Sequence, residues 1–232
     1  MNIQSIAKMI DISCVRTDSD LFEINRMIRI AKHFRFICTF AMPGFTKYLV
    51  DELTPEKDIM VGGVVGFPSG ADTTSIKVVT AKEMISAGVD ELDMVANVGA
   101  LKSGKYDEVF SDIRAVVEAA NGLPVKCILE IAYLTDDEIR RCAEIAVRAG
   151  VTYVKTGTGW ASKPTTVDTV KLIKSEIGNA AKIKAAGGVR SLETLLEMVD
   201  AGACRFGIGV NSALSIMKEA YEKYGCAWDF EE

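Results

Sequence analysis

The chain has 232 residues, of which 49% are apolar and 25% are charged, a composition typical of a globular α/β domain. Its formal charge of −5 includes no basic block, so nucleic acid and anionic membranes are not expected partners. No apolar run approaches the roughly 20 residues that span a bilayer, and the N-terminus lacks the pattern of a signal peptide. We therefore expect a cytoplasmic protein folded as one domain over residues 1–232.

The cysteines and the single histidine restrict the chemistry further. The 6 cysteines show no CxxC spacing and lie mostly in apolar context, which indicates reduced core residues. His33 is the only histidine, so a site built from several histidines is excluded, and its basic helical context favours the surface. No strand is followed by GxGxxG, and no GxxxxGK[ST] occurs, which disfavours nucleotide folds. We expect neither a metal nor a cofactor.

In chain order, eight β-rich runs each precede a helical segment. The first run, 9–13, carries Asp11 at its centre, and Asp18 or Ser19 is placed to cap the next helix. Thr135 and Glu138 form a capping box. The other predicted strands are 34–40, 60–67, 91–97, 125–131, the runs around Lys155 and Lys184, and 205–209. The first predicted helix ends at residue 31. The other predicted helices span 45–53, 75–87, 106–120, 135–149, 166–177, 192–201 and 212–224.

An Ala-Gly pair recurs at Gly88, Gly150 and Gly202, where a helix gives way to a strand. Glycine fits the left-handed conformation that commonly ends a helix. Repeating βα units of about 25–30 residues close most simply into an eight-stranded barrel. The predicted fold class is therefore α/β, a (β/α)8 TIM barrel, with a doubly wound open sheet as the alternative.

Two of the predicted strands contain a lysine. Lys155 lies inside a short β-rich run that ends in hydroxyls and glycines, and Lys184 lies inside a similar run that ends at Gly187 and Gly188. Burying an ammonium costs several kcal/mol unless it is paired or neutralised. A second cation nearby lowers the pKa of an amine and makes it nucleophilic. The pair therefore predicts an amine that forms a Schiff base.

The active site of such a barrel lies at the carboxyl ends of its strands. Acids or amides also occur there at Asp11, Asp93, Asn97 and Glu130. A structural ion pair between Asp93 and Lys184 is one interpretation, but so many ionisable groups inside the strands favour chemistry. With Lys155 as amine, Lys184 as neighbouring cation and Asp93 as proton shuttle, the sequence predicts a metal-free enzyme whose iminium accepts electrons.

Several segments resemble the deoxyribose-phosphate aldolase family. Residues 91–104 resemble the family's signature around its catalytic aspartate, and residues 154–156 and 184–190 resemble its two lysine segments. Residues 65–71 and 129–135 also match, so the resemblance covers nearly the whole chain in order. It implies a class I aldolase on a (β/α)8 barrel that cleaves 2-deoxy-D-ribose 5-phosphate to acetaldehyde and D-glyceraldehyde 3-phosphate.

The resemblance also assigns residues. Lys155 is implied to carry the Schiff base, Lys184 to lower its pKa, and Asp93 to move protons through a water. The implied substrate-binding residues are Asp11, Ser13, Cys38, Thr156 and Thr158. The implied phosphate-binding residues are Gly159, Gly187, Gly188, Gly209 and Asn211. The expected partner is a small aldehyde or sugar phosphate, and a homodimer is a candidate assembly.

Departures from the family pattern concentrate away from the lysines. Where the family has Lys-Thr-Ser-Thr-Gly, this chain has Gly157 in place of the serine. Trp160 follows, at a position where relatives carry lysine or a smaller aromatic residue. The last strand lacks both phosphate-binding serines, with Gly209 and Val210 in their places. We therefore expect weakened phosphate selectivity.

Three functions remain open from the sequence. The first is the family aldolase, with phosphate held by backbone amides and by substitute side chains such as Asn211 or Ser212. The second is a Schiff-base aldolase of the same lineage that uses another, non-phosphorylated acceptor aldehyde. The third is a non-catalytic ligand-binding barrel, against which the presence of Asp93, Lys155 and Lys184 argues.

Overall fold

In a computed structural model that describes residues 1–231, eight parallel strands alternate with helices and close into a barrel in sequence order. Glu232, which the predicted domain includes, lies outside the described residues. The strands are β1 (Ile10–Cys14), β2 (Cys38–Ala41), β3 (Met60–Val65), β4 (Glu91–Val95), β5 (Val125–Ile128), β6 (Tyr153–Lys155), β7 (Lys182–Ala186) and β8 (Arg205–Gly209). Pairing of β1 with β8 closes the sheet, which confirms the barrel and excludes the open sheet.

The helices cover the outside of this barrel. They are α1 (Ile3–Ala7), α2 (Leu21–Phe34), α3 (Pro43–Leu53), α4 (Thr74–Ala87), α5 (Val98–Lys102), α6 (Tyr106–Ala119), α7 (Asp136–Ala149), α8 (Val167–Ile177), α9 (Leu192–Asp200) and α10 (Val210–Lys223). A 3-10 turn spans Ile131–Tyr133. Among the described residues, no helix is both long and apolar enough to pass through a bilayer.

Local signals in the sequence predicted several helix ends. The capping box of Thr135 and Glu138 is formed at the start of α7. Gly88 and Gly150 end α4 and α7 in the left-handed conformation, with φ of 99° and 96°. Gly202, two residues after the end of α9, also has a positive φ of 113°. These glycines turn the chain back toward the next strand.

Other boundaries differ from the predictions. The cap of α2 is Asp20, whose side chain accepts a hydrogen bond from the backbone N–H of Glu23, whereas Asp18 pairs with Arg16 at 2.9 Å. The predicted strand 34–40 begins too early, because α2 continues through Phe34 before β2 starts at Cys38. The helices α1 and α5 and the 3-10 turn were not predicted, since segments this short show almost no periodicity.

The interior of the barrel is polar rather than aliphatic, while the main apolar core lies between the strands and the surrounding helices. Phe40 on β2 occupies the middle of this interior, with its ring centroid 4.3 Å from Lys184 Nζ and 5.1 Å from Lys126 Nζ. Gly62 on β3 makes room for it, because a Cβ there would lie 2.1 Å from the ring. An ammonium is attracted to an aromatic face, so Phe40 suits this charged interior.

Candidate active site

A cavity of about 620 Å³ opens at the carboxyl ends of the strands. Its wall includes most of the residues that the sequence singled out. These are Asp11, Ser13, Lys155, Thr158, Gly159, Lys184, Gly187, Gly188, Gly209 and Asn211. Asp93 lies fully buried beneath the wall and touches Lys155 and Lys184. The barrel therefore gathers the three predicted catalytic residues at one place.

The centre of the site is a carboxylate between two amines. Lys155 ends β6, and Lys184 lies beside it in register on β7. Asp93 Oδ2 accepts hydrogen bonds from Lys155 Nζ at 2.8 Å and from Lys184 Nζ at 2.7 Å. Lys155 is 7% exposed and Lys184 only 1%, so Lys155 is the amine more open to the cavity.

The surroundings of Lys155 favour its neutral form. Burial lowers the pKa of this amine to about 8, with the charges of Lys184 and Lys126 acting in the same direction and Asp93 opposing them. At pH 7 about a tenth of such amines are unprotonated, against less than about one in a thousand at the ordinary pKa. Lys155 is therefore a usable nucleophile near neutral pH.

Asp93 is the matching anion. Burial acts to raise the pKa of this carboxyl, but Lys126, Lys155 and Lys184 together hold it well below its usual range. Its second oxygen, Oδ1, accepts a hydrogen bond from Lys126 Nζ at 2.9 Å. Asp93 is thus a carboxylate at neutral pH, able to accept a proton when the charges around it change.

Sequence reasoning missed three charged residues in the barrel interior, namely Glu91, Lys126 and Arg205. Burial disfavours the charge of Lys126, but the carboxylates around it outweigh that effect and raise its pKa. Arg205 likewise has a raised pKa because Asp11 and Glu91 outweigh its burial. Lys126 carried the same signal as Lys155, a lysine inside an apolar strand, and the signal was overlooked.

Two predicted substrate-binding residues do not reach the cavity wall. Cys38 is fully buried, and burial together with Glu91 and Asp11 raises the pKa of its thiol well above the usual value. Thr156 is also buried, and its hydroxyl donates to the backbone oxygen of Ala186 and accepts from the N–H of Ala186, each at 2.9 Å. Thr156 thereby ties the end of β6 to β7.

The loop after β6 is held by Glu130, which follows β5 with a left-handed φ of 56°. Its carboxylate accepts hydrogen bonds from the backbone N–H of Thr158 at 3.2 Å and from the Thr158 hydroxyl. A Cβ on Gly157 would lie 3.0 Å from Glu130 Oε1. The close approach of this carboxylate explains why glycine suits the position where the family pattern has serine.

Trp160 forms an aromatic side of the cavity. Its indole N–H donates to the backbone oxygen of Val15 at 2.9 Å, and its ring meets Phe67 edge-on with centroids 6.2 Å apart. The side-chain oxygen of Asn211 accepts a hydrogen bond from Arg26 at 2.7 Å. Next to Gly209 there is open space, since an added Cβ meets no atom within 4 Å.

Asn97 and His33 lie outside this site. Asn97 caps α5 by accepting the N–H of Ala100 at 3.0 Å, and it does not line the cavity. His33 is exposed, as predicted, and lies 3.0 Å from Asp229. The barrel and the cavity at the carboxyl ends of its strands thus define a (β/α)8 protein with a lysine–aspartate–lysine centre.

Comparison with known proteins gives the family. Residues 14–218 match the model of the DeoC/LacD family aldolases. The deoxyribose-phosphate aldolase of Sinorhizobium medicae (strain WSM419) is 44% identical over 216 residues, covering 93% of this chain and 87% of that protein. The crystal structure of a putative deoxyribose-phosphate aldolase from Coccidioides immitis is similar, with a TM-score of 0.89 and 33% identity over 94% of this chain and 87% of that one.

A third relative is the deoxyribose phosphate aldolase from Aeropyrum pernix, which is described as having a unique tetrameric structure. It has a TM-score of 0.83 and 27% identity over 96% of this chain and 92% of that one. The chain belongs to the DeoC/LacD family of aldolases.

Proposed function

We propose that the protein is a class I aldolase that reversibly cleaves 2-deoxy-D-ribose 5-phosphate to acetaldehyde and D-glyceraldehyde 3-phosphate. The observation that carries this proposal is the buried Lys155 amine, 2.8 Å from Asp93 and with its pKa lowered to about 8. The family and the names of its members support the choice of substrate.

The first half of the reaction makes the electron sink. The neutral amine of Lys155 adds to the C1 aldehyde of the open-chain sugar phosphate, and loss of one water with uptake of one proton leaves an iminium on its nitrogen. A base then removes the proton of the C3 hydroxyl. The C2–C3 bond breaks, its electron pair moves toward the iminium to give an enamine, and C3 leaves as the aldehyde of D-glyceraldehyde 3-phosphate.

The second half restores the enzyme. The enamine takes a proton at C2, and one water hydrolyses the resulting iminium to acetaldehyde and free Lys155, with release of the proton taken up in the first half. Asp93 exchanges these protons through a water, and Lys184 keeps positive charge beside the amine, so that Lys155 returns as a free base. The water released in the first half balances the water consumed in the second.

A direct assay tests this proposal. Purified protein mixed with 2-deoxy-D-ribose 5-phosphate should release acetaldehyde and D-glyceraldehyde 3-phosphate in equal amounts, with the same rate in the presence of EDTA. The matched control is Lys155→Met, which removes the amine and keeps an apolar stem of similar length. Release at the wild-type rate by Lys155→Met, or no release by the wild type, contradicts the proposal.

The cavity also favours a second candidate, an aldolase of the same chemistry that accepts a non-phosphorylated aldehyde. Gly209 and Val210 offer no hydroxyl at the cavity, and the indole of Trp160 is an apolar neighbour. The two candidates are separated by running the reaction in the direction of synthesis, with acetaldehyde as the donor. A panel of non-phosphorylated aldehydes then replaces D-glyceraldehyde 3-phosphate as the acceptor. A free aldehyde turned over faster than D-glyceraldehyde 3-phosphate selects the second candidate.

Three further properties belong to the proposal. The enzyme works in the cytoplasm, needs no metal or other cofactor, and acts as one domain over residues 1–232. A homodimer is the candidate assembly. Size-exclusion chromatography with light scattering measures the mass of the assembly. A mass equal to one chain contradicts the homodimer.

A further inference from the structure

The barrel interior contains charges in an alternating order. Asp93 accepts hydrogen bonds from Lys184 at 2.7 Å and from Lys126 at 2.9 Å. Lys126 also pairs with Glu91, whose Oε1 accepts a second hydrogen bond from Arg205 at 2.8 Å. Glu91 therefore bridges two cations, and Asp93 bridges Lys126 and Lys184 in addition to its bond with Lys155.

Asp11 completes the arrangement. Its Oδ1 accepts a hydrogen bond from Arg205 Nε at 2.8 Å, and its Oδ2 lies 2.6 Å from Lys184 Nζ as an ion pair. The contacts thus return to Lys184. The closed series, which we name the charge ring, runs Asp11, Lys184, Asp93, Lys126, Glu91, Arg205 and back to Asp11.

The charge ring is balanced and almost sealed from water. Its members are at most 5% exposed, so their charges are weakly screened. Three carboxylates face three cations, and Lys155 is a fourth cation whose bonded partner, Asp93, is already shared with Lys184. Protonating Lys155 therefore leaves a buried cluster with one uncompensated positive charge, which is unfavourable.

We propose that Glu91 and Arg205 are positioning residues that control the protonation of Lys155 through the charge balance of this ring. Neither residue lines the cavity or bonds to Lys155, and each holds its place through Lys126 or Asp11. The inference deepens the proposed function, because it concerns the amine on which that reaction rests.

The other titratable groups near Lys155 are not members of the charge ring. Burial raises the pKa of the Cys38 thiol on β2, which keeps it uncharged. Tyr153 on β6 faces the cations Lys126 and Arg205, and Glu130 is bonded to Thr158 in the loop above. On β3, Gly62 lies against Phe40 and Val64 lines the cavity, and neither residue ionises. The outer rim of the cavity carries Arg16, Glu23, Arg26 and Arg190.

The test changes the balance in both directions. Arg205→Gln removes a cation and should raise the pKa of Lys155, whereas Glu91→Gln removes an anion and should lower it, each by roughly one unit. The double variant restores the balance and should return to the wild-type value. The readout is trace acetylation by acetic anhydride as a function of pH, because this reagent reacts with unprotonated amines. Peptide mass gives the labelling of Lys155 relative to the exposed Lys163.

Arg205→Lys is the matched control, since it keeps the charge and should keep the wild-type midpoint. A merely structural role predicts equal midpoints, or shifts of one sign, in both single variants, and either result overturns the inference. If only one single variant folds, its shift decides, and a midpoint that stays at the wild-type value or moves opposite to the expected direction overturns the inference. If neither folds, a double-variant midpoint displaced by a unit or more overturns it. Acetylation needs no sugar, so the result stands whether or not the protein cleaves 2-deoxy-D-ribose 5-phosphate.

Discussion

The nitrogen of Lys155 donates a hydrogen bond to the carboxylate of Asp93, and Lys184 donates to the same carboxylate. Lys184→Met removes a neighbouring cation, so the pKa of Lys155 should rise by roughly one to two units above its value of about 8. Because only the neutral amine attacks, the acid limb of the pH profile of kcat/KM should move to higher pH. Lys184→Arg keeps the charge and should retain more of the rate at pH 7. Coincident profiles for the wild type and Lys184→Met contradict an electrostatic role.

In the proposed reaction, we expect phosphate recognition to depend on the part of the cavity that contains Gly209 and Val210. Hydrogen bonds to a charged group contribute roughly 1.5–3 kcal/mol each. Gly209→Ser combined with Val210→Ser should therefore raise the preference for 2-deoxy-D-ribose 5-phosphate over 2-deoxyribose by about tenfold or more. The open space beside Gly209 admits the new side chain. The measurement is the ratio of kcat/KM for the two sugars, and a wild-type preference of a thousandfold or more, unchanged in the variant, refutes the expectation.

Single residues differ in how far the sequence reveals them. Lys155, Lys184 and Asp93 were predictable, because a charged residue inside an apolar strand needs a reason and because the segments resemble a family. The pairing of Arg205 with Asp11 was not, since these residues are 194 positions apart and meet only when β8 pairs with β1. Cys38 and Thr156 show the reverse case, because the resemblance assigns both to the substrate, whereas both are buried and do not line the cavity.

At the scale of elements, a buried ion pair joins α4 to α6. Lys77 Nζ lies 2.5 Å from Asp112 Oδ2 and donates to the backbone oxygen of Val95 at 2.9 Å. Asp112→Ala leaves a buried ammonium without its counter-ion, which should lower the free energy of unfolding by about 3–5 kcal/mol. Lys77→Met combined with Asp112→Leu should lower it less, because no unpaired charge remains. Urea unfolding measures both variants, and an equal or larger loss in the double variant contradicts the prediction.

The elements themselves were predictable where their signals are local. The capping box of α7 and the glycines after α4 and α7 act within one helical turn, so the sequence alone indicates them. The end of α2 was not predictable in the same way, because Phe34 is followed, after Arg35, by the apolar run 36–38, and aromatic and apolar residues suit either a helix or a strand. Tertiary packing of Phe34 in the core decides for the helix.

At the scale of the whole molecule, closing the barrel turns scattered charges into one buried cluster beneath one cavity. The repeat of strands and helices predicts closure and the end at which the cavity lies. It does not predict which side chains pair, because that depends on register between neighbouring strands, such as Asp93 beside Lys126 and Lys155 beside Lys184. The polar interior follows from this register.

The most direct test of the Schiff-base mechanism is the identity of the modified lysine after chemical trapping. The protein is incubated with acetaldehyde and borohydride and digested with a protease, and the masses of its peptides are measured by mass spectrometry. We expect one ethyl group on Lys155, because its amine has a pKa of about 8 and lies at the cavity wall, and we expect no such group in Lys155→Met. An ethyl group on Lys184 with Lys155 unmodified would contradict the assignment.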